Sequence, residues 1–174
     1  MLTQETVQTA LPDENFIRFR NLIAERIGLQ FHDHQRGTIE KAILDSGAVR
    51  QGDTLDAYYQ RLKSTSTQNA QWDKLIARLT IGETYFFRNT SHTAALRDEI
   101  LPRLIIRHRH HRRLRLWSAG CASGEEAYTL AMLLCELLPD IKSWNILISG
   151  TDINKSTLDF ARQGRYRPWS LRQT

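Results

Sequence analysis

The stretch LRLWSAGCASGEEAYTLAMLLCELL, residues 114–138, constrains the fold more than any other part of the chain. LRLWS, 114–118, is a short apolar run bounded by charge and reads as a strand. Small residues follow from Ala119 to Gly124, and then a helical pattern over 124–138 that is apolar on more than one face. NILISGTD, 145–152, predicts a second strand. NKSTLDFARQG, 154–164, predicts a second helix, with Asn154 as its N-cap and Gly164 after its end. Strand, helix, strand, helix is the opening of a parallel α/β sheet. Such sheets need cover on both faces, which two strands with these helices do not supply. The chain is therefore expected to be a fragment of a longer protein, with a dimer that completes the sheet as the alternative.

The first 80 residues have a different character. Phe16, Phe19, Leu22, Ile23 and Ile27 recur at helical spacing over 13–28, with Pro12 and Asp13 at the start and Gly28 at the end. Ile39, Ala42 and Ile43 mark a second helix over 33–46. Leu55, Tyr58, Tyr59 and Leu62 mark a third, and Trp72, Leu75, Ile76 and Leu79 a fourth, with STSTQN (64–69) as loop or cap. A further helix over 91–106 is expected to bend at Pro102. The predicted organisation is a small all-helical domain over 11–82 and the first part of an α/β domain over 83–174.

Composition narrows the function classes. Hydrophobic residues make up 41% and charged residues 25%, as in a soluble globular protein. No stretch approaches the roughly 20 apolar residues of a membrane span. The N-terminus has neither a basic start nor an apolar core, so no signal peptide is expected. Cys121 and Cys135 lack metal-like spacing, which suits a reduced, cytoplasmic protein without a disulfide. The net charge of +5 owes much to RHRHHRR, 107–113. A solvated helix end explains that run best, since cations suit the negative end of the dipole. A metal site on His108, His110 and His111 would lack a carboxylate or thiolate partner.

In open α/β sheets, ligands sit beyond the carboxyl ends of the strands. Here that place holds a small-residue loop after the first strand and Asp152 at the end of the second, where an acid can accept hydrogen bonds from ribose hydroxyls. The loop reads GCASGEE, which is not a dinucleotide fingerprint, and no Lys follows Gly124 as a phosphate loop requires. Glu125 and Glu126 occupy the helix start where a phosphate would otherwise bind, and would repel one. They suit a cationic nucleoside without phosphate, and S-adenosylmethionine fits that description. The plainer alternative is that both acids only complement the helix dipole.

TIGETYFFRN (80–89), LWSAGCASGEEAYTLAMLL (116–134) and GTDINKSTLDFARQGRY (150–166) together resemble chemotaxis receptor methyltransferases of the CheR type, over nearly the whole chain from about residue 11. The resemblance implies a small N-terminal helical domain followed by the first part of a Rossmann-like methyltransferase domain. It implies an enzyme that transfers a methyl group from S-adenosylmethionine to glutamate side chains of chemoreceptors, with S-adenosylhomocysteine as product. Carried over by motif position, Thr84 and Arg88 would touch the methionine end of the cofactor, with Arg88 as the catalytic candidate. Gly82 stands where some relatives place an Asn that contacts cofactor. Ala119 and Gly120 would line the cofactor, Glu126 would contact it, and Asp152 would hold the ribose.

Arg88 can pair with a carboxylate in bidentate fashion, that of cofactor or of substrate, or form an ordinary salt bridge with Glu83. Tyr85, Phe86 and Phe87 read as packing residues, and Tyr166 as packing or as part of the substrate end. A substrate glutamate, with a pKa of about 4.3, is already ionised and needs no general base. The resemblance also implies chemoreceptor cytoplasmic helices as partner, with neither nucleic acid nor membrane insertion. Some relatives dock through a strongly basic second helix. Here Arg36, Lys41 and Arg50 are diluted by Glu40 and Asp45. The alternative to the enzyme is a non-catalytic cofactor- or partner-binding module of the same ancestry. A nucleic-acid-binding role for 107–113 would lack interleaved aromatics and a recognised fold.

Overall fold

The structure, a computed structural model, describes residues 11–46, 54–80 and 82–172. The chain divides into two compact units, Met1–Ile81 and Gly82–Thr174. Gly82 thus falls in the second unit, where a Cβ on it would meet Ala122 at 3.5 Å and Thr157 at 3.8 Å. The sequence-based division, at 82/83, lies one residue later.

Among the described residues, the first unit is built from four α-helices. α1 (Asp13–Ile27) buries Phe16, Phe19, Leu22 and Ile23, and Gly28 ends it in the left-handed region at φ +74°. A 3-10 turn (Asp33–Gln35) leads into α2 (Arg36–Asp45), which buries Ile39, Ala42 and Ile43. Thr54 caps α3 (Leu55–Ser64) and Asn69 caps α4 (Ala70–Leu79), each side chain accepting an otherwise orphaned N–H. Trp72 is fully buried among them, and its indole N–H donates to the Leu62 carbonyl at 3.1 Å. That bond removes the penalty of sinking a polar atom in the core. Arg36 is half-buried, pairs with Glu40 and Asp13 and lies over the Phe16 ring. It therefore staples this unit, with part of its charge offset by these two acids. Arg50 lies outside the described residues.

The second unit begins with one irregular helical run: α5 (Thr90–Ala95), a π-helical turn (Leu96–Ile100) and α6 (Leu101–His108). The irregularity precedes Pro102 rather than sitting at it. Pro102 has no N–H to return to the preceding turn, so the ladder rearranges on its N-terminal side. Arg107 and His108 occupy the last turn of α6, as a helix dipole favours.

β1 (Arg113–Ala119) and β2 (Asn145–Thr151) pair in parallel, from Arg113 opposite Asn145 to Ala119 opposite Thr151. α7 (Glu125–Leu137) is the crossover between them, and α8 (Lys155–Gln163) follows β2. Leu101, Ile105, Leu114, Leu133, Leu134, Leu138 and Trp144 form the core of this unit. Each fully buried leucine there contributes roughly 1.5–3 kcal/mol. The opposite sheet face forgoes that gain: Trp117 is 70% and Leu147 52% exposed, beside exposed Arg113 and Arg115. Each strand pairs on one side only among the described residues. The incomplete cover expected of this sheet is thus present. Cys121 and Cys135 are both free thiols.

Candidate functional site

The loop between β1 and α7 alternates backbone hand. Gly120, Ala122 and Gly124 have φ of +72°, +46° and +95°. Glycine takes such angles readily, but for Ala122 the left-handed region costs about 1–2 kcal/mol. Its N–H is the return on that strain, for it donates to Asp152 Oδ2 at 2.8 Å. Asp152 Oδ1 accepts the Asn154 N–H, also at 2.8 Å. The N–H groups of Gly120 and Cys121 both donate to the Thr151 carbonyl, at 2.7 and 3.0 Å. The loop is therefore bound to the end of β2 along its length. An ionised carboxylate has about four acceptor positions, so two remain on Asp152 for a hydroxyl-bearing ligand.

The two adjacent acids part company. Glu126 is exposed and its Oε1 accepts the Ser118 hydroxyl at 2.6 Å. Ser118 is 1% exposed, a polar residue at an inward position of β1, and aims Glu126 over the strand end. Glu125 is 2% exposed. It accepts the hydroxyls of Ser123 at 2.6 Å and Ser170 at 3.0 Å. Helix-dipole complementation alone does not require one acid buried and the other exposed, each held by its own serine hydroxyls.

Ala119 ends β1 and is exposed, and a Cβ on Gly120 would meet nothing within 4 Å. Open space thus lies above the loop glycine. Gly124 differs: its Cβ would lie 2.9 Å from Ala161 and 3.0 Å from the Tyr166 hydroxyl, so it is glycine for packing against α8. Gly82 packs on Ala122, which brings the segment bearing Thr84 and Arg88 to the same loop. That segment is fixed through its own N–H groups, Phe86 N–H to the Ser170 carbonyl at 2.9 Å and Phe87 N–H to the Thr129 side chain Oγ1 at 3.1 Å. Phe87 and Asn89, on either side of Arg88, have φ of +55° and +61°. Thr84 is half-buried, and Arg88 is exposed. Arg88 donates to the Glu83 carbonyl oxygen, not to its carboxylate, which pairs with Arg172 instead.

Tyr166 stands at the middle of an aromatic group, with ring centroids 4.8 Å from Phe86, 5.7 Å from Tyr128 and 6.0 Å from Phe160. Its hydroxyl donates to the Ser123 carbonyl at 2.7 Å, so it packs and also holds the loop. Burial, then the charge of Glu125, pushes its phenol well above the ordinary range. Burial, then Asp152, pushes the Cys121 thiol up as well.

Ser118, Ser123, Ser170 and Arg172 were not singled out from sequence. Ser118 had a signal, a hydroxyl at an inward strand position. Ser123 acts locally, on Glu125 two residues on, while Ser170 and Arg172 act across 45 and 89 residues, distances that local pattern does not encode. Among the described residues, no cluster of three or more His, Cys, Asp or Glu is placed to hold a metal ion. Nor is any helix among them long and apolar enough to cross a membrane.

Residues 82–174 match the family model described as CheR methyltransferase, SAM binding domain. Residues 14–80 match CheR methyltransferase, all-alpha domain. The chain is similar to chemotaxis protein methyltransferase 2 of Vibrio cholerae, 30% identical over 165 residues, covering 95% of this chain and 57% of the relative. It is similar to the chemotaxis protein methyltransferase of Borreliella burgdorferi, 34% identical over 152 residues, covering 86% and 53% respectively. With the enzyme of that name from Escherichia coli it shares 32% identity over 174 residues, covering 99% and 57%. The chain thus spans 53–57% of the length of these relatives.

Proposed function

The chain belongs to the CheR methyltransferase family, and from that premise we propose that it carries the S-adenosylmethionine site of a protein-glutamate O-methyltransferase. The substrate would be glutamate side chains on the cytoplasmic helices of chemoreceptors. The observation that carries this is the gathering of Asp152, Ser118-aimed Glu126 and the open Gly120 turn at the carboxyl ends of two parallel strands. Residues 119–126 contain no cation to receive a phosphate. The donor set fits a nucleoside that carries positive charge and hydroxyls.

When bound, the cofactor supplies an electrophilic methyl group on a sulfonium. Asp152 would accept the ribose hydroxyls on its two remaining acceptor positions. Glu126 would face the cationic side of the ligand, and Ala119 and Gly120 would leave room for it. Thr84, Arg88 and the main chain at Gly82 would bind its methionine end. Arg88 could instead draw in the substrate carboxylate, which it can grip in bidentate fashion. Since that carboxylate is already ionised, the protein's contribution is alignment and partial desolvation rather than proton transfer. The two free thiols, Cys121 and Cys135, suit a reaction in the reducing cytoplasm. The bare sheet face and free strand edges suit further strands and helices of a longer chain, or else a second copy.

Calorimetric titration with S-adenosylhomocysteine tests the assignment. Wild type is expected to bind, and Asp152→Ala to lose binding. No binding by the folded full natural chain would remove the cofactor reading and favour a partner-binding module of the same ancestry.

A further inference from the structure

We propose that Arg172 is a positioning residue for Arg88, acting through Glu83 and Tyr85. The proposal rests on the reading that Arg88 meets a carboxylate of cofactor or substrate. The two guanidinium groups share the same two partners. Arg172 Nη2 pairs with Glu83 Oε1 at 3.3 Å, while Arg88 Nη1 donates to the Glu83 main-chain oxygen. The Tyr85 ring has Arg172 Cζ 3.8 Å from its centroid and Arg88 Cζ at 5.8 Å.

Arg172 is itself held from the other side. It lies 4.1 Å from the centre of the Trp169 ring, and its Nη1 donates to the Trp169 carbonyl at 2.9 Å. Ser170, which follows Trp169, takes the Phe86 N–H on its carbonyl and gives its hydroxyl to buried Glu125. The turn after α8 is thereby locked to α7 and to the segment that bears Arg88. Arg88, in contrast, is exposed and has no ion pair among the described residues. An exposed arginine samples many rotamers unless its surroundings choose one. Glu83 and Tyr85 make that choice, and Arg172 fixes both. The flat guanidinium suits a position between two rings, as an ammonium does not.

The test is a double-mutant cycle on the full natural chain, read as S-adenosylhomocysteine affinity by calorimetry, with Arg172→Ala, Arg88→Ala and the pair. Arg172→Ala is expected to weaken binding about tenfold in the wild-type background and to add nothing once Arg88 is gone. Arg172→Lys, which keeps the pair with Glu83 but not the stacking, is expected to fall between. It carries the same cycle if the alanine variant does not fold. Unchanged affinity in the Arg172 variants, or losses that multiply with that of Arg88→Ala, would overturn the proposal and leave the cofactor reading intact. A wild-type chain that binds no S-adenosylhomocysteine overturns both.

Discussion

Asp152 and Ala122 are joined across 30 residues by a single bond, the Ala122 N–H to Asp152 Oδ2 at 2.8 Å. It ties a strained loop residue to the acid proposed to hold the ribose. The other Asp152 oxygen accepts the Asn154 N–H. Asp152→Asn can satisfy only one of these donors, because its amide NH2 would face the other. The variant is expected to lose roughly 1–3 kcal/mol of stability in urea unfolding, besides weakening S-adenosylhomocysteine binding. Unchanged stability would mean that the loop is held without this carboxylate.

Gly124 and Gly120 both have positive φ but different surroundings. A methyl on Gly124 would strike Ala161 and the Tyr166 hydroxyl, while one on Gly120 would meet open space. Gly124→Ala is therefore expected to cost roughly 2–5 kcal/mol, strain and overpacking together. Gly120→Ala is expected to cost only the backbone strain, about 1–2 kcal/mol. Under the proposed function Gly120→Ala should also impair cofactor binding out of proportion to its stability. Urea titration with and without S-adenosylhomocysteine separates the two effects.

Much of this arrangement was legible in the chain itself. Period 3.6 in the first unit picked out Phe16, Phe19, Ile39, Ile43, Trp72 and Leu75, all buried as expected. The alternation of strand and helix signals from 114 onward located both strands to within a residue. Asn154 caps α8 with its side-chain oxygen, and Gly164 closes it in the left-handed region. What stayed hidden depends on partners far along the chain. The π-helical turn before Pro102 is a redistribution of backbone bonds, which no side-chain period reports. Glu125 and Glu126 are adjacent acids in the sequence, and their serine partners, Ser123 and Ser170 for one and Ser118 for the other, accompany a buried acceptor and an exposed ligand candidate. The sequence offers Arg88 a salt bridge with nearby Glu83, yet Arg172 takes that carboxylate from 89 residues away.

The two thiols should differ in reactivity. Cys135 is exposed, whereas Cys121 is buried beneath the loop with its thiol pushed up by burial and then by Asp152. A thiolate is the reacting species, so both access and ionisation protect Cys121. Alkylation of the native protein near neutral pH is expected to modify Cys135 quickly and Cys121 only on unfolding. Peptide mapping after timed quenching reads this directly, and fast labelling at Cys121 would show that the loop opens.

Tyr166 gives the fold an alkaline limit. Its phenol ionises well above its ordinary value of 10.0 in the folded chain, because burial and then Glu125 oppose the anion. The unfolded chain releases that proton first, so above about pH 10 the folded state holds more protons. Stability from this group is thus complete below pH 10 and is lost as pH rises toward the folded value. Tyr166→Phe removes the titration but also the hydrogen bond to Ser123, which costs on the order of 1 kcal/mol at neutral pH. Unfolding free energies measured from pH 7 to 11 should therefore start lower for Tyr166→Phe and fall less steeply above pH 10. Parallel slopes in the two proteins would show that the phenol is not held neutral by the loop and α7.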